Sequence, residues 1–116
     1  MNAGFLATDG ATVTLTNSTV NTTAQNGNGV FSYGSGTTVN VSDTTITTTK
    51  DNSGGIQTTG GAAMNATNLT VNTAGNSSAA IRTDRGGGTV VVDKGTYTST
   101  GYNSPAVYST ANITVK

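Results

Sequence analysis

The side chains of this 116-residue chain that could do chemistry are few, and their types limit what that chemistry can be. Cys, His, Trp and Glu are absent, and five Asp balance three Lys and two Arg to give a formal net charge of zero. Without Cys or His, the chain cannot form disulfides, bind a metal or haem through those residues, or use a nucleophile activated by histidine. What remains is aromatic stacking and directed hydrogen bonding.

Six side chains able to stack or to form directed hydrogen bonds make up the candidate ligand site. They are Phe31, Tyr33, Gln57, Arg82, Asp84 and Tyr108. Aromatic rings beside an arginine and an amide could stack on a sugar chain and hydrogen-bond to its hydroxyl groups. The alternative is that these rings only pack on their neighbours in a sheet.

A catalytic centre is not predicted from these residues. Asp84 lies between Arg82 and Arg85, and no acidic residue occupies the matching positions elsewhere in the chain. Asp84 is therefore expected to pair with a neighbouring arginine rather than to act on a substrate. The chain is predicted not to be an enzyme, and no metal or cofactor is expected.

The charge of the chain argues against nucleic-acid binding, and its hydropathy argues against a membrane span or a secretory signal. A neutral chain is a poor binder of nucleic acid, because affinity for the phosphate backbone depends on an excess of basic residues. No apolar stretch exceeds a few residues, so neither a membrane span nor a secretory signal is predicted.

An internal repeat defines the elements that must position the candidate residues. Four segments superimpose at spacings of 26, 25 and 26 residues, beginning at Val13, Val39, Met64 and Val90. In each segment, apolar residues recur at the first, third and eighth positions. Thr, Val and Ile are abundant, and these β-branched residues favour strands.

Each repeat contains three short runs in which apolar and polar residues alternate. Alternation places the apolar residues on one face of a strand, and repeats this short can bury that face only by stacking on each other. The prediction is one all-β segment over residues 1–116, a three-sided parallel β-helix (β-solenoid) of about 4.5 turns of 25–26 residues. One corner is rich in Gly, and a second carries Asn17, Asp43, Asn68 and Lys94 with Gly95.

Four apolar stacks are predicted to form the core. They are Phe5, Val30, Ile56, Ile81 and Val107; Val13, Val39, Met64, Val90 and Ile113; Leu15, Val41, Ala66, Val92 and Val115; and Val20, Ile46, Val71 and Tyr97. The six candidate site residues lie on the first strand of each turn and are expected to point outward.

The runs GNGVFSYGSGTTVNVSDTTITTTKDNSGGI and GNSSAAIRTDRGGGTVVVDKGTYTSTGYNSPAVYSTANITV cover most of the chain. They resemble the Thr/Asn/Gly-rich right-handed parallel β-helix regions of adhesin-like bacterial surface proteins, within the pectin-lyase-like class. The resemblance implies an extracellular or cell-surface location and a structural or adhesive role. Since the chain begins and ends in mid-pattern, without a polar capping segment, we expect an excerpt of a longer solenoid or a unit that abuts another copy. Unpaired strand edges at both ends predict that the excised solenoid associates end to end.

A threonine array on the third strand offers a different function. Its members are Thr19, Thr45, Thr47, Thr49, Thr70, Thr96, Thr98 and Thr100. Methyl and hydroxyl groups repeating on a flat lattice resemble the ice-binding faces of β-solenoid antifreeze proteins. The alternative is that Thr is simply suited to an exposed strand.

Three functional hypotheses follow from these patterns. The first is a non-enzymatic structural or adhesive module whose partner is a ligand on a host or cell surface. The second is a polysaccharide-binding module that uses the first-strand face, and the third is an ice-binding protein that uses the threonine array.

Overall fold

The short alternating runs form parallel strands that wind into a β-solenoid in a computed structural model, which describes residues 2–116. These residues contain strands and turns but no helix, and hence no helix with the length and apolar character needed to cross a membrane. The strands are β1 (Asn2–Ala7), β2 (Thr12–Thr16), β3 (Thr19–Thr22), β4 (Gly27–Tyr33), β5 (Thr38–Ser42), β6 (Thr45–Thr48), β7 (Ile56–Thr59), β8 (Ala62–Thr73), β9 (Ile81–Thr83), β10 (Gly88–Ser99), β11 (Val107–Tyr108) and β12 (Asn112–Val115).

The strands pair in parallel between successive coils and form two sheets. The first sheet has the order β1-β4-β7-β9-β11. The second has the order β12-β10-β8-β5-β2, with β3 paired to β6 and β6 paired to β8. Four coils stack in this way, followed by part of a fifth formed by β11 and β12. The predicted all-β parallel solenoid is confirmed.

The inward positions stack in the predicted register. Ile56 in the third coil pairs with Val30 in the second and Ile81 in the fourth, and all three side chains are at most 1 % exposed. The other three predicted stacks pair in the same manner. Val107 and Val115 hold the predicted register but remain exposed, because no further coil of the described residues covers them.

The chain turns at the second corner in every complete coil, and in two of these coils one continuous strand runs through the corner. Asn17, Asp43 and Asn68 have φ between 50° and 53°, as their residue types predict. In the fourth coil, Lys94 takes the same conformation with φ of 59°, although its residue type does not favour it. In the third and fourth coils, the second and third predicted runs join into the 12-residue strands β8 and β10. The pairing omits only the corner residue, so the two runs can belong to one strand.

A glycine next to this corner makes room for an aromatic ring in the fourth coil. Leu69 and Val71 of the third coil pair with Gly95 and Tyr97 of the fourth. A Cβ atom added to Gly95 would clash with the Leu69 carbonyl oxygen and lie 3.2 Å from Cε1 of Tyr97. The missing side chain at position 95 therefore leaves room for the tyrosine ring.

The Tyr97 hydroxyl is a buried polar atom with no hydrogen-bond partner among the described residues. Burial raises the pKa of the Tyr97 phenol well above its ordinary value, because the phenolate would lose its hydration.

We expect the Tyr97→Phe variant to be more stable than the parent by up to about 1 kcal/mol at neutral pH, because it removes an unpaired buried hydroxyl. The unfolded phenol ionises near pH 10 while the folded one stays protonated, so the parent should lose stability above about pH 10. The variant should lose less of its stability there. Urea unfolding at pH 7 and pH 11, followed by circular dichroism, measures both effects.

The Tyr102→Phe variant is the control, because the Tyr102 side chain is 76 % exposed. It should leave both the unfolding free energy and its pH dependence unchanged. A loss of stability at pH 7 on Tyr97→Phe would show instead that the Tyr97 hydroxyl has a partner.

Candidate ligand-binding groove

The six candidate residues on the first-strand face do not all reach the surface. Phe31 and Gln57 are each only 4 % exposed, so the expectation that Phe31 provides an outer stacking surface is wrong. The Phe31 ring packs edge-on against Tyr33, with ring centroids 6.2 Å apart, and it lies between Leu6 and Gln57 in the ladder. Tyr33 and Tyr108 remain exposed.

Gln57 contributes to the face by positioning another side chain. Its Nε2 atom donates a hydrogen bond to Oδ2 of Asp84, 3.1 Å away in the neighbouring coil. Because the Gln57 amide is buried and has few alternative conformations, this bond holds the carboxylate in place.

Arg82 and Asp84 form the predicted ion pair. Arg82 Nε donates to Asp84 Oδ2 at 2.9 Å, and Arg82 Nη2 lies 2.9 Å from the same oxygen. Arg82 Nη1 also approaches the carbonyl oxygen of Ser77 at 3.4 Å. The second candidate partner, Arg85, makes no ion pair with the described residues.

A groove of about 760 Å³ lies over this pair, between the first-strand face and the third corner, which is the turn that precedes β4, β7, β9 and β11. Its floor and far wall come from three successive coils. The lining residues are Asn52, Ser77, Ala79, Arg82, Asp84, Asn103, Ser104, Pro105 and Tyr108. The groove therefore follows the solenoid axis.

The groove contains three of the six candidate residues. Arg82, Asp84 and Tyr108 line it, and Tyr108 pairs directly with Arg82 in the next coil. Phe31 and Tyr33 belong to the second coil, two coils from Arg82, and do not line the groove. A ligand that stacks on Tyr33 while bonding to Arg82, as the sequence suggests, would not lie in this groove.

The wall formed by the third corner was not predicted from the sequence. Asn26, Asn52, Ser77 and Asn103 occupy this corner with φ between 52° and 58°. Three of the four are Asn, which tolerates this conformation. Their recurrence near the repeat period was the signal that could have identified the corner, as was the single proline of the chain, Pro105.

A ladder of serine hydroxyls fixes this corner, and two of the three serines, Ser53 and Ser78, are buried. Ser53 Oγ accepts a hydrogen bond from the Gly27 amide at 2.9 Å, and Ser78 Oγ accepts one from the Ser53 amide at 3.0 Å. Ser104 Oγ accepts from the Ser78 amide at 2.9 Å. Each serine thus satisfies a backbone donor of the preceding coil, which keeps the groove wall in register.

The threonines of the array lie along the third run of each coil. Thr19, Thr45, Thr47, Thr70, Thr96 and Thr98 lie within β3, β6, β8 and β10. Thr49 and Thr100 lie beyond the ends of β6 and β10, and their hydroxyls approach backbone oxygens of the preceding coil at 3.4 Å. Two columns remain on the strand face, and Asn21 and Asn72 interrupt one of them.

The residues that line the groove are the evidence for what it could bind. Comparison of the chain with protein-family models, with curated proteins and with solved structures gives no match. Within residues 2–116, no group of three acidic side chains is placed to hold a metal ion. The groove offers one ion pair, one exposed aromatic ring and several amide, hydroxyl and backbone groups.

We expect the Ser78→Ala variant to lower the free energy of unfolding by about 1–3 kcal/mol, because it leaves the buried Ser53 amide without its acceptor. The same change should speed hydrogen exchange at the Ser53 amide. Urea unfolding and exchange measured by NMR test the two effects.

The Ser35→Ala variant serves as the control, because Ser35 is exposed at the first corner. It should match the parent in both measurements. Equal stability of Ser78→Ala and the parent would show that the serine ladder does not hold the third corner.

Proposed function

We propose that this chain is a non-enzymatic structural and adhesive module of a cell-surface protein, a stiff β-solenoid that displays a ligand-binding groove outside the cell. The observation that carries the proposal is the contrast between its faces. The outward positions of the second sheet are mostly Thr, Asn and Ser, whereas the first-strand face combines the Arg82–Asp84 ion pair, Tyr108 and a groove. Irregular side chains on a regular scaffold provide a specific place for a ligand.

We propose no catalytic role for the groove, because of the residues that line it. Asp84 is the only carboxylate that lines the groove, and glycoside hydrolysis generally requires two. Its Oδ2 atom already receives the Gln57 amide and the Arg82 guanidinium. A carboxylate in this arrangement is suited to holding a ligand rather than to transferring a proton.

A polysaccharide is the ligand that the groove suits best. Its volume falls within the range of small-molecule sites, which is roughly 300–1,000 Å³. Its lining residues come from three successive coils, so a sugar chain bound there would contact more than one coil. Tyr108 offers a ring for stacking, while the polar groups around it can bond to hydroxyls.

If the groove binds polysaccharide, Tyr108→Ala should weaken binding by about 1–3 kcal/mol, because it removes the stacking surface. Tyr33→Ala is the matched control, since Tyr33 is 40 % exposed and Tyr108 47 % on the same face. The measurement is titration of the parent and both variants with plant and bacterial polysaccharides, with thermal unfolding to confirm the fold.

Two results would contradict the polysaccharide proposal. One is the absence of binding to any polysaccharide tested. The other is binding that survives Tyr108→Ala but is lost on Tyr33→Ala or Thr98→Leu, which would move the site out of the groove.

We further propose that copies of this chain associate end to end. β1 and β11 are the outer strands of the first sheet, and β2 and β12 are those of the second, so each presents an unpaired edge. The sedimentation coefficient of the 116-residue chain should therefore rise with concentration. A concentration-independent monomer would contradict this proposal.

A further inference from the structure

The Arg82–Asp84 pair presents an unused acceptor and unused donors side by side. Asp84 Oδ2 accepts from Gln57 and Arg82, while Oδ1 accepts no hydrogen bond from the described residues. The guanidinium of Arg82 has five N–H groups, of which Nε and one Nη point to Asp84 and another Nη to Ser77. One N–H remains on each Nη atom for a ligand.

Both groups are accessible from the groove but are held by the protein. The side chain of Arg82 is 19 % exposed and that of Asp84 is 34 % exposed. Gln57 fixes the carboxylate, and the stem of Arg82 lies over the backbone of the preceding coil, where a Cβ added to Gly54 would be 3.5 Å from Arg82 Cδ. The donors and the acceptor are therefore positioned before a ligand arrives, which lowers the entropy cost of binding.

The net charge of the groove distinguishes between kinds of sugar. Arg82 and Asp84 are the only charged residues that line it, and they compensate each other. An acidic sugar would place its carboxylate near Asp84 and compete for a guanidinium that is already paired. An uncharged sugar is not repelled by Asp84 and does not compete with Asp84 for the Arg82 guanidinium.

We propose that the groove binds an uncharged pyranose through two adjacent equatorial hydroxyls. One hydroxyl donates to Asp84 Oδ1, and its neighbour accepts from a free Nη of Arg82. Tyr108, stacked one coil above Arg82, packs against the C–H face of the same or the next sugar ring. This inference rests on the proposed polysaccharide-binding function and specifies its ligand.

The test compares three oligosaccharides of equal length by isothermal titration calorimetry. Cellohexaose carries adjacent equatorial hydroxyls at C2 and C3 of every residue. The same oligosaccharide oxidised to uronic acid at C6 keeps those hydroxyls but adds carboxylates. Laminarihexaose is uncharged, but its linkage through O3 removes the adjacent pair from internal residues.

Cellohexaose should bind, and the oxidised oligosaccharide should bind about tenfold more weakly or worse. Laminarihexaose should also bind more weakly than cellohexaose, because only its terminal residues keep an adjacent pair of equatorial hydroxyls. The cellohexaose affinity should change little with added salt, because the ligand has no charge to be screened. Equal or tighter binding of the oxidised oligosaccharide, or of laminarihexaose, would overturn the inference while leaving polysaccharide binding in place. No binding of any of the three, nor of the wider polysaccharide panel, would overturn both.

Single substitutions test whether cellohexaose binds to the Arg82–Asp84 ion pair. Asp84→Asn and Arg82→Gln should each weaken cellohexaose binding about tenfold to a hundredfold, because each removes a charged hydrogen-bonding group. Arg85→Gln is the matched control, since Arg85 carries the same charge nearby but does not line the groove. Thermal unfolding verifies that each variant is folded. Unchanged affinity in folded Asp84→Asn and Arg82→Gln would overturn the inference.

Discussion

Parallel pairing in exact register between neighbouring coils is the interaction on which the rest of this structure depends. A single coil cannot bury its apolar side chains, so every coil relies on the coils next to it for both backbone hydrogen bonds and a core. A shift of one residue would turn each apolar stack outward. The register is nevertheless uninterrupted from Phe5 to Val107, so the difference between repeats of 25 and 26 residues is taken up outside the paired strands.

The corners preserve that register, and they do so by three different means. Glycines with positive φ form the first corner, and single Asn, Asp or Lys residues in the left-handed region form the second. The third combines a left-handed residue with a buried serine whose hydroxyl accepts an amide of the preceding coil, as Ser78 does for Ser53. The third corner is thus tied to its neighbours by side-chain hydrogen bonds. It is also the one that supplies the groove wall.

The parts of the fold that depend on periodicity could be predicted from the sequence. The stacks, their register and two of the corners follow from the recurrence of apolar, glycine and asparagine positions. The burial of Phe31 could not be predicted, because alternation shows only that it points away from the core and not that Leu6, Tyr33 and Gln57 cover it. The groove was likewise missed, because its lining joins residues of the third corner to Arg82, Asp84 and Tyr108, which periodicity alone does not place together.

The difference between positions that follow the repeat and positions that do not also explains where a ligand site can arise in such a chain. The inward residues that form the apolar stacks must be of similar type in every coil, so they give every coil the same chemistry. An outward position is free of that requirement, so Gln57, Arg82 and Tyr108 can succeed each other along one ladder. In this ladder the amide of one coil orients the carboxylate of the next, and that carboxylate orients its own arginine. A specific arrangement of donors and acceptors thus forms across coils whose inward faces remain nearly identical.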